Sequence, residues 1–111
     1  LRQRQPRERD EAHLQFIRQC PCLVCLNNIE TEAAHVRFSD ARAAKDNPGV
    51  GQKPDDGWTV PLCSSHHREQ HSMGEVKFWD QKMIDPVFVA MALYLNSGDM
   101  EAAETIIKAQ H

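Results

Sequence analysis

The stretch "PLCSSHHREQH", residues 61–71, crowds one cysteine and three histidines into a short span. His66 and His67 are adjacent, and neighbouring side chains on a helix point about 100° apart, so the two do not readily serve one site. Upstream, "PCLVC" sets Cys22 and Cys25 at the spacing that Cys63 and His66 repeat. Each such knuckle brings two ligands onto one ion, and two knuckles complete a tetrahedron. Thiolates with one imidazole favour zinc, and four protein ligands leave no open position, so Cys22, Cys25, Cys63 and His66 would form a structural site. Reduced core thiols or a disulfide are the alternatives for these cysteines; a cytosolic chain favours metal. Cys20 is the spare thiol. It either replaces Cys22, through the spacing Cys20-x4-Cys25, or fills the core as a small hydrophobe. If His66 faces the zinc, His67 faces elsewhere. Its neighbour at i+4, His71, shares its face. Together they offer an open two-imidazole platform for a second metal.

Several elements must position these residues. "ERDEAHLQFIR", residues 8–18, reads as a helix with Ala12, Leu14, Phe16 and Ile17 on its apolar side, ended by Pro21. "TEAAHVRF" reads as a strand with Val36 and Phe38 inward and Arg37 outward. Residues 39–57, rich in Gly, Asp, Lys and Pro, read as a long irregular loop. "GWTVPLC" is the next strand, and "SSHHREQHS" a helix with Ser64 or Ser65 as N-cap, ending at Gly74. "EVKFWDQKM" is helical, Asp85-Pro86 opens the helix "VFVAMALYL", "NSGD" breaks it, and "MEAAETIIKAQH" forms the last one. Met91, Leu93 and Leu95 read as core or as a self-association face, and His13 and His111 as surface residues.

Composition sets the limits. A chain of 111 residues, 41% hydrophobic with few aromatics, builds one modest core that a metal staple would help. No run approaches the roughly 18 apolar residues of a membrane helix, and the start lacks a signal-peptide pattern, so a soluble cytoplasmic protein is expected. The net charge of −3 counts against non-specific nucleic-acid binding. Charge is uneven, however: residues 1–18 carry five arginines against three acids, a basic arm, while residues 76–111 carry three lysines against five acids.

Taken with "AHVRF", these pieces resemble the HNH endonuclease superfamily, in particular its small phage- and prophage-type members. The resemblance runs through "PCLVC" at 21–25, "AHVRF" at 34–38, "KPDD" at 53–56 and "VPLCSSHHREQH" at 60–71, and covers about residues 12–80. It implies an α+β fold: a small ββα-metal, zinc-stabilised core within residues 1–80, flanked by an amino-terminal helix. Residues 81–111 would add a helical extension packed on the same domain. It also implies that His35 is the general base that activates water. His67 and His71 would then hold a catalytic divalent metal (Mg, Mn, Ni or Zn). Asp56 would orient the loop or the base, with Asp55 as its substitute. One departure matters: relatives commonly carry a metal-binding His or Asp just before the base, and here that position is Ala34. Water and phosphate oxygens would complete the site, or Glu32 or Asp56 would reach in. Arg37, Arg42, Lys45, Lys53 and Arg68 are candidates for phosphate contacts, which position DNA without reading its sequence. The expected function is metal-dependent hydrolysis of DNA phosphodiester bonds. The rival is a catalytically inactive, zinc-stabilised module that binds DNA or protein, with Ala34 marking the lost metal site.

Overall fold

The computed structural model describes residues 9–38 and 55–111. Over these residues the fold is mixed α+β, with five helices and one two-stranded antiparallel sheet. Arg42, Lys45, Lys53 and the arm at residues 1–8 lie outside the described residues.

Helix α1 spans Glu11–Gln19. It starts at Glu11 rather than at the expected residue 8 because Asp10 caps it, its carboxylate accepting from the His13 amide at 3.0 Å. The buried face is Leu14, Phe16 and Ile17, and His13 is buried with them. That corrects the expectation of a surface histidine: His13 is only 1% exposed, because the distant helix corner around Ser97 closes over it.

Strand β1, Thr31–His35, pairs antiparallel with β2, Thr59–Cys63, from Thr31↔Cys63 at one end to His35↔Thr59 at the other. β1 is shorter than expected: after His35 one more bond, Val36 N–H to Trp58 O at 2.8 Å, precedes the connection of residues 36–58. Val36 still packs into the core, and Arg37 is half-buried. β2 is buried on both faces, Thr59 and Pro61 on one, Val60 and Leu62 on the other. Proline is tolerated because a two-stranded sheet consists of edge strands. The outer edge of β2 is covered by the cysteine knuckle, where Leu23 N–H donates to Pro61 O at 2.9 Å.

The chain passes from β2 straight into α2, Ser64–Met73, and completes a ββα order. The N-cap is Cys63, not Ser64 or Ser65, and it makes no side-chain cap bond. With the strand running into the helix without a turn, the first amide, Ser64 N–H, is satisfied by Glu30 O at 3.1 Å instead. Gly74 ends α2 and opens α3, Glu75–Lys82, at φ 92, a backbone conformation that favours glycine. Helix α4, Pro86–Leu95, follows the Asp85 cap with proline in its first turn, and α5, Met100–Lys108, follows the Asp99 cap.

One core joins these elements: Ile17 of α1, Leu62 of β2, Phe78 of α3, Val89 and Leu93 of α4, and Ile107 of α5 are each fully buried. Burial of each such side chain stabilises by about 1.5–3 kcal/mol relative to exposure. α4 packs directly on β2. Its residues split: Leu93 faces the core, whereas Met91 and Leu95 face outward. His111 is exposed, yet its Nε2 donates to Leu23 O at 2.7 Å, so it is not a bare surface residue. No helix among the described residues is long and apolar enough to cross a membrane.

Candidate functional site

The knuckle at Cys22–Cys25 is a tight turn, with Leu26 N–H donating to Cys22 O at 2.8 Å and Cys22 N–H to Asn27 O at 2.7 Å. Leu26 takes φ 64 to close it. The second half-site is the β2–α2 junction, where Cys63 ends the strand and His66 lies one turn into the helix. The two halves meet. Cys63 Sγ lies 3.2 Å from His66 Nδ1, Cys22 Sγ 3.8 Å from the same nitrogen, and Cys25 Sγ 4.0 Å from Cys63 Sγ. All four ligand atoms lie within 4.8 Å of one another. A tetrahedron with metal–sulfur bonds of about 2.3 Å has edges of about 3.8 Å, so the spacing suits one metal ion. Among the described residues no other group of three or more such ligands converges in this way.

All four cysteines are free thiols rather than disulfides. Cys20 stays outside the cluster. It is fully buried, its Sγ lies 3.4 Å from Phe16 O, and burial pushes its thiol up to about 12, which leaves it an inert core residue.

The adjacent histidines part as helical geometry demands. His66 turns its Nδ1 to the cluster, while His67 turns to β1, with Nδ1 2.7 Å from Glu32 Oε1. His71 lies beside His67, ring centroids 4.7 Å apart. Ala34, on the strand face that also carries Glu32, is only 1% exposed and part of the core.

A third constellation sits at the far end of β1. His35 Nε2 is 3.0 Å from Asp56 Oδ1, and Asp56 is only 2% exposed. The other carboxylate oxygen of Asp56 accepts the Asp10 amide at 2.9 Å, and the Asp56 carbonyl accepts the Thr59 hydroxyl at 2.9 Å. Tyr94 Oη donates to Asp10 at 3.4 Å, and His13, bonded through Nδ1 to Ser97 Oγ at 2.7 Å, meets the Tyr94 ring edge-on at 4.8 Å. Burial lowers the His13 pKa, opposed by the Asp10 and Asp56 carboxylates. A cavity of about 470 Å³ opens beside this network, lined in part by Arg9, Asp55, Trp58 and Tyr94.

The structure thus gathers Cys22, Cys25, Cys63 and His66 in one cluster, His67 with His71 and Glu32 in a second, and His35 with Asp56 in a third. Side-chain alternation puts His35 on the face of β1 opposite Glu32, about 10 Å further along the strand. Arg68 is exposed on α2, and the Arg37 amide donates to Glu75 Oε1 at 2.8 Å. Asp10 is the supporting residue that sequence reasoning missed. Its position ahead of an apolar periodic run marks it as a helix cap, but its bond to Asp56 uses the backbone amide, which no residue type advertises.

Fold and site define a small α+β protein with a Cys3His group able to hold a metal ion at one end of a ββα unit and, at the other, a half-buried histidine bonded to a buried aspartate. The chain belongs to the DUF968 family, described as a protein of unknown function, whose family model matches residues 1–94. No curated protein and no solved structure matches the chain.

Proposed function

We propose that the protein is a metal-dependent DNA endonuclease of the HNH type, with zinc as the structural ion of the Cys22, Cys25, Cys63 and His66 group. The observation that carries this reading is the His35–Asp56 pair: a histidine at the end of β1 whose Nε2 bonds a buried carboxylate at 3.0 Å. Asp56 holds the Nε2 proton, so His35 takes the proton of water on Nδ1, as a neutral imidazole does near physiological pH. The Asp10 amide and the Thr59 hydroxyl hold Asp56 still while this happens. Arg37 and Arg68 seat the phosphate backbone, with Arg42, Lys45 and Lys53 as further contacts from the connection. A divalent ion at His67 and His71, when bound, supplies stabilisation of charge on the leaving oxygen.

Two observations favour the rival reading, a binding module without activity: first, His35 lies on the face of β1 opposite Glu32, the partner of His67. Second, Ala34 is buried in the core at the position where HNH endonucleases commonly carry a ligand, and among the described residues no third ligand converges on His67 and His71.

A nuclease assay decides between them, on supercoiled, linear and single-stranded DNA with Mg, Mn, Ni and Zn, for the wild type and His35→Ala. Cleavage by the wild type that the variant loses, with DNA binding retained, supports the endonuclease. DNA binding with no cleavage under any metal moves the assignment to the binding module.

A further inference from the structure

The second residue of β1, Glu32, shares a strand face with Ala34, and so looks toward α2 from the side where position 34 offers no ligand. Its Oε1 lies 2.7 Å from His67 Nδ1. Two ligand atoms of one ion stand further apart: bonds of about 2.1 Å give edges of roughly 3.0 Å in an octahedron and 3.4 Å in a tetrahedron. The Glu32 contact is therefore a charge-assisted hydrogen bond. A carboxylate only accepts, so the proton of the bond sits on Nδ1. The lone pair of His67 then belongs to Nε2, on the ring that lies 4.7 Å from the His71 ring.

We infer that Glu32 is a positioning residue: it fixes His67 in the Nδ1–H tautomer and so makes Nε2 the metal-binding atom. This rests on the reading that His67 and His71 take a second metal. A carboxylate behind a ligating histidine orients the ring and raises its basicity, and removing one typically weakens metal binding about 10–100-fold. With Glu32 engaged as a hydrogen-bond partner, the protein ligands are two imidazoles, which suit ions such as nickel better than magnesium.

The test uses the zinc-loaded full chain, with nickel as the probe. Nitrogen-15 NMR of the histidine rings, recorded without nickel above pH 7.5, reads the tautomer of His67, and calorimetry reads nickel affinity. The wild type is expected to carry the proton on Nδ1. Glu32→Gln, which keeps an acceptor oxygen, should retain that tautomer and lose nickel affinity only a few-fold. Glu32→Ala should release the tautomer and weaken nickel about 10–100-fold, with an unchanged melting profile. A wild-type His67 protonated on Nε2, or a Glu32→Ala protein that binds nickel as the wild type does, overturns the inference. If the wild type binds nickel no better than His67→Ala, the second-metal reading itself fails. The tautomer measurement separates that outcome from a failure of the Glu32 contact.

Discussion

Asp56→Asn changes no shape and one property: the new side chain has a single acceptor oxygen, where Asp56 now accepts from His35 Nε2 and from the Asp10 amide. If the oxygen stays on His35, the new amide group faces the Asp10 N–H, two buried donors opposed, at a cost of about 1–3 kcal/mol. The better arrangement points the oxygen at Asp10 and the amide at His35. The amide then donates to Nε2, and the imidazole proton must move to Nδ1. Each of the two bonds also loses its charge, which drops its worth from about 1.5–3 to about 0.5–1.5 kcal/mol. Summed, the loss is about 2 kcal/mol. For a domain of this size that lowers the melting temperature by roughly 8 °C. On the proposed endonuclease reading, a separate and larger chemical effect is expected. With the proton on Nδ1, His35 can no longer accept one from water there, and loss of a general base costs about 10²–10⁴ in rate. Circular-dichroism melting of the zinc-loaded protein reads the first effect. Plasmid nicking at 25 °C, far below the transition, reads the second. A variant that melts with the wild type would refute the buried bond. A variant that melts lower but cleaves at the wild-type rate would remove the tautomer of His35 from the chemistry.

Cys25→Ser should release the tightly held metal and unfold the domain, read by metal content and melting; a metal-free protein with an unchanged transition would contradict the role of the cluster. Met83 caps α3 at φ 59 and is 89% exposed, so Met83→Gly should stabilise by about 1 kcal/mol in urea unfolding, and a loss of stability would show that the left-handed cap carries no strain. His13 has its pKa lowered by burial, so the folded state prefers the neutral ring; its contribution is full above pH 6.5 and is lost as pH falls below that toward the folded value. Melting followed from pH 8 to 5 should therefore show an acid-side slope that shrinks in His13→Gln, and an identical slope in the variant would contradict the assignment.

The Cys3His group was legible because its rules are local. A C-x2-C turn and a C-x2-H strand–helix junction each set two ligands by short-range geometry, and helical periodicity alone separates His66 from His67. The Gly74 break and the Asp85-Pro86 start of α4 follow from local turn and capping chemistry in the same way. His13 was not legible. Its partner Ser97 lies 84 residues away, and nothing in "DEAHLQF" distinguishes a histidine that a distant corner will cover from one left in water. The cap of α2 was misplaced because serine is the better capping residue, while the continuous path from β2 fixes the helix start by backbone direction. The side chain of Cys63 meanwhile belongs to the cluster.

The register of the hairpin has a consequence for how the chain can change. Cys63 stands opposite Thr31, and His35 opposite Thr59, so the Cys3His group lies at one end of the pair and the connection of residues 36–58 leaves from the other. His35 is held by its strand, and Asp56 by the Asp10 amide and Thr59, so neither depends on the length of chain between them. Doubling a loop raises its closure cost by only about 0.6 kcal/mol. The length of chain between Phe38 and Asp55 can therefore change while the Cys3His group and the His–Asp pair stay in register.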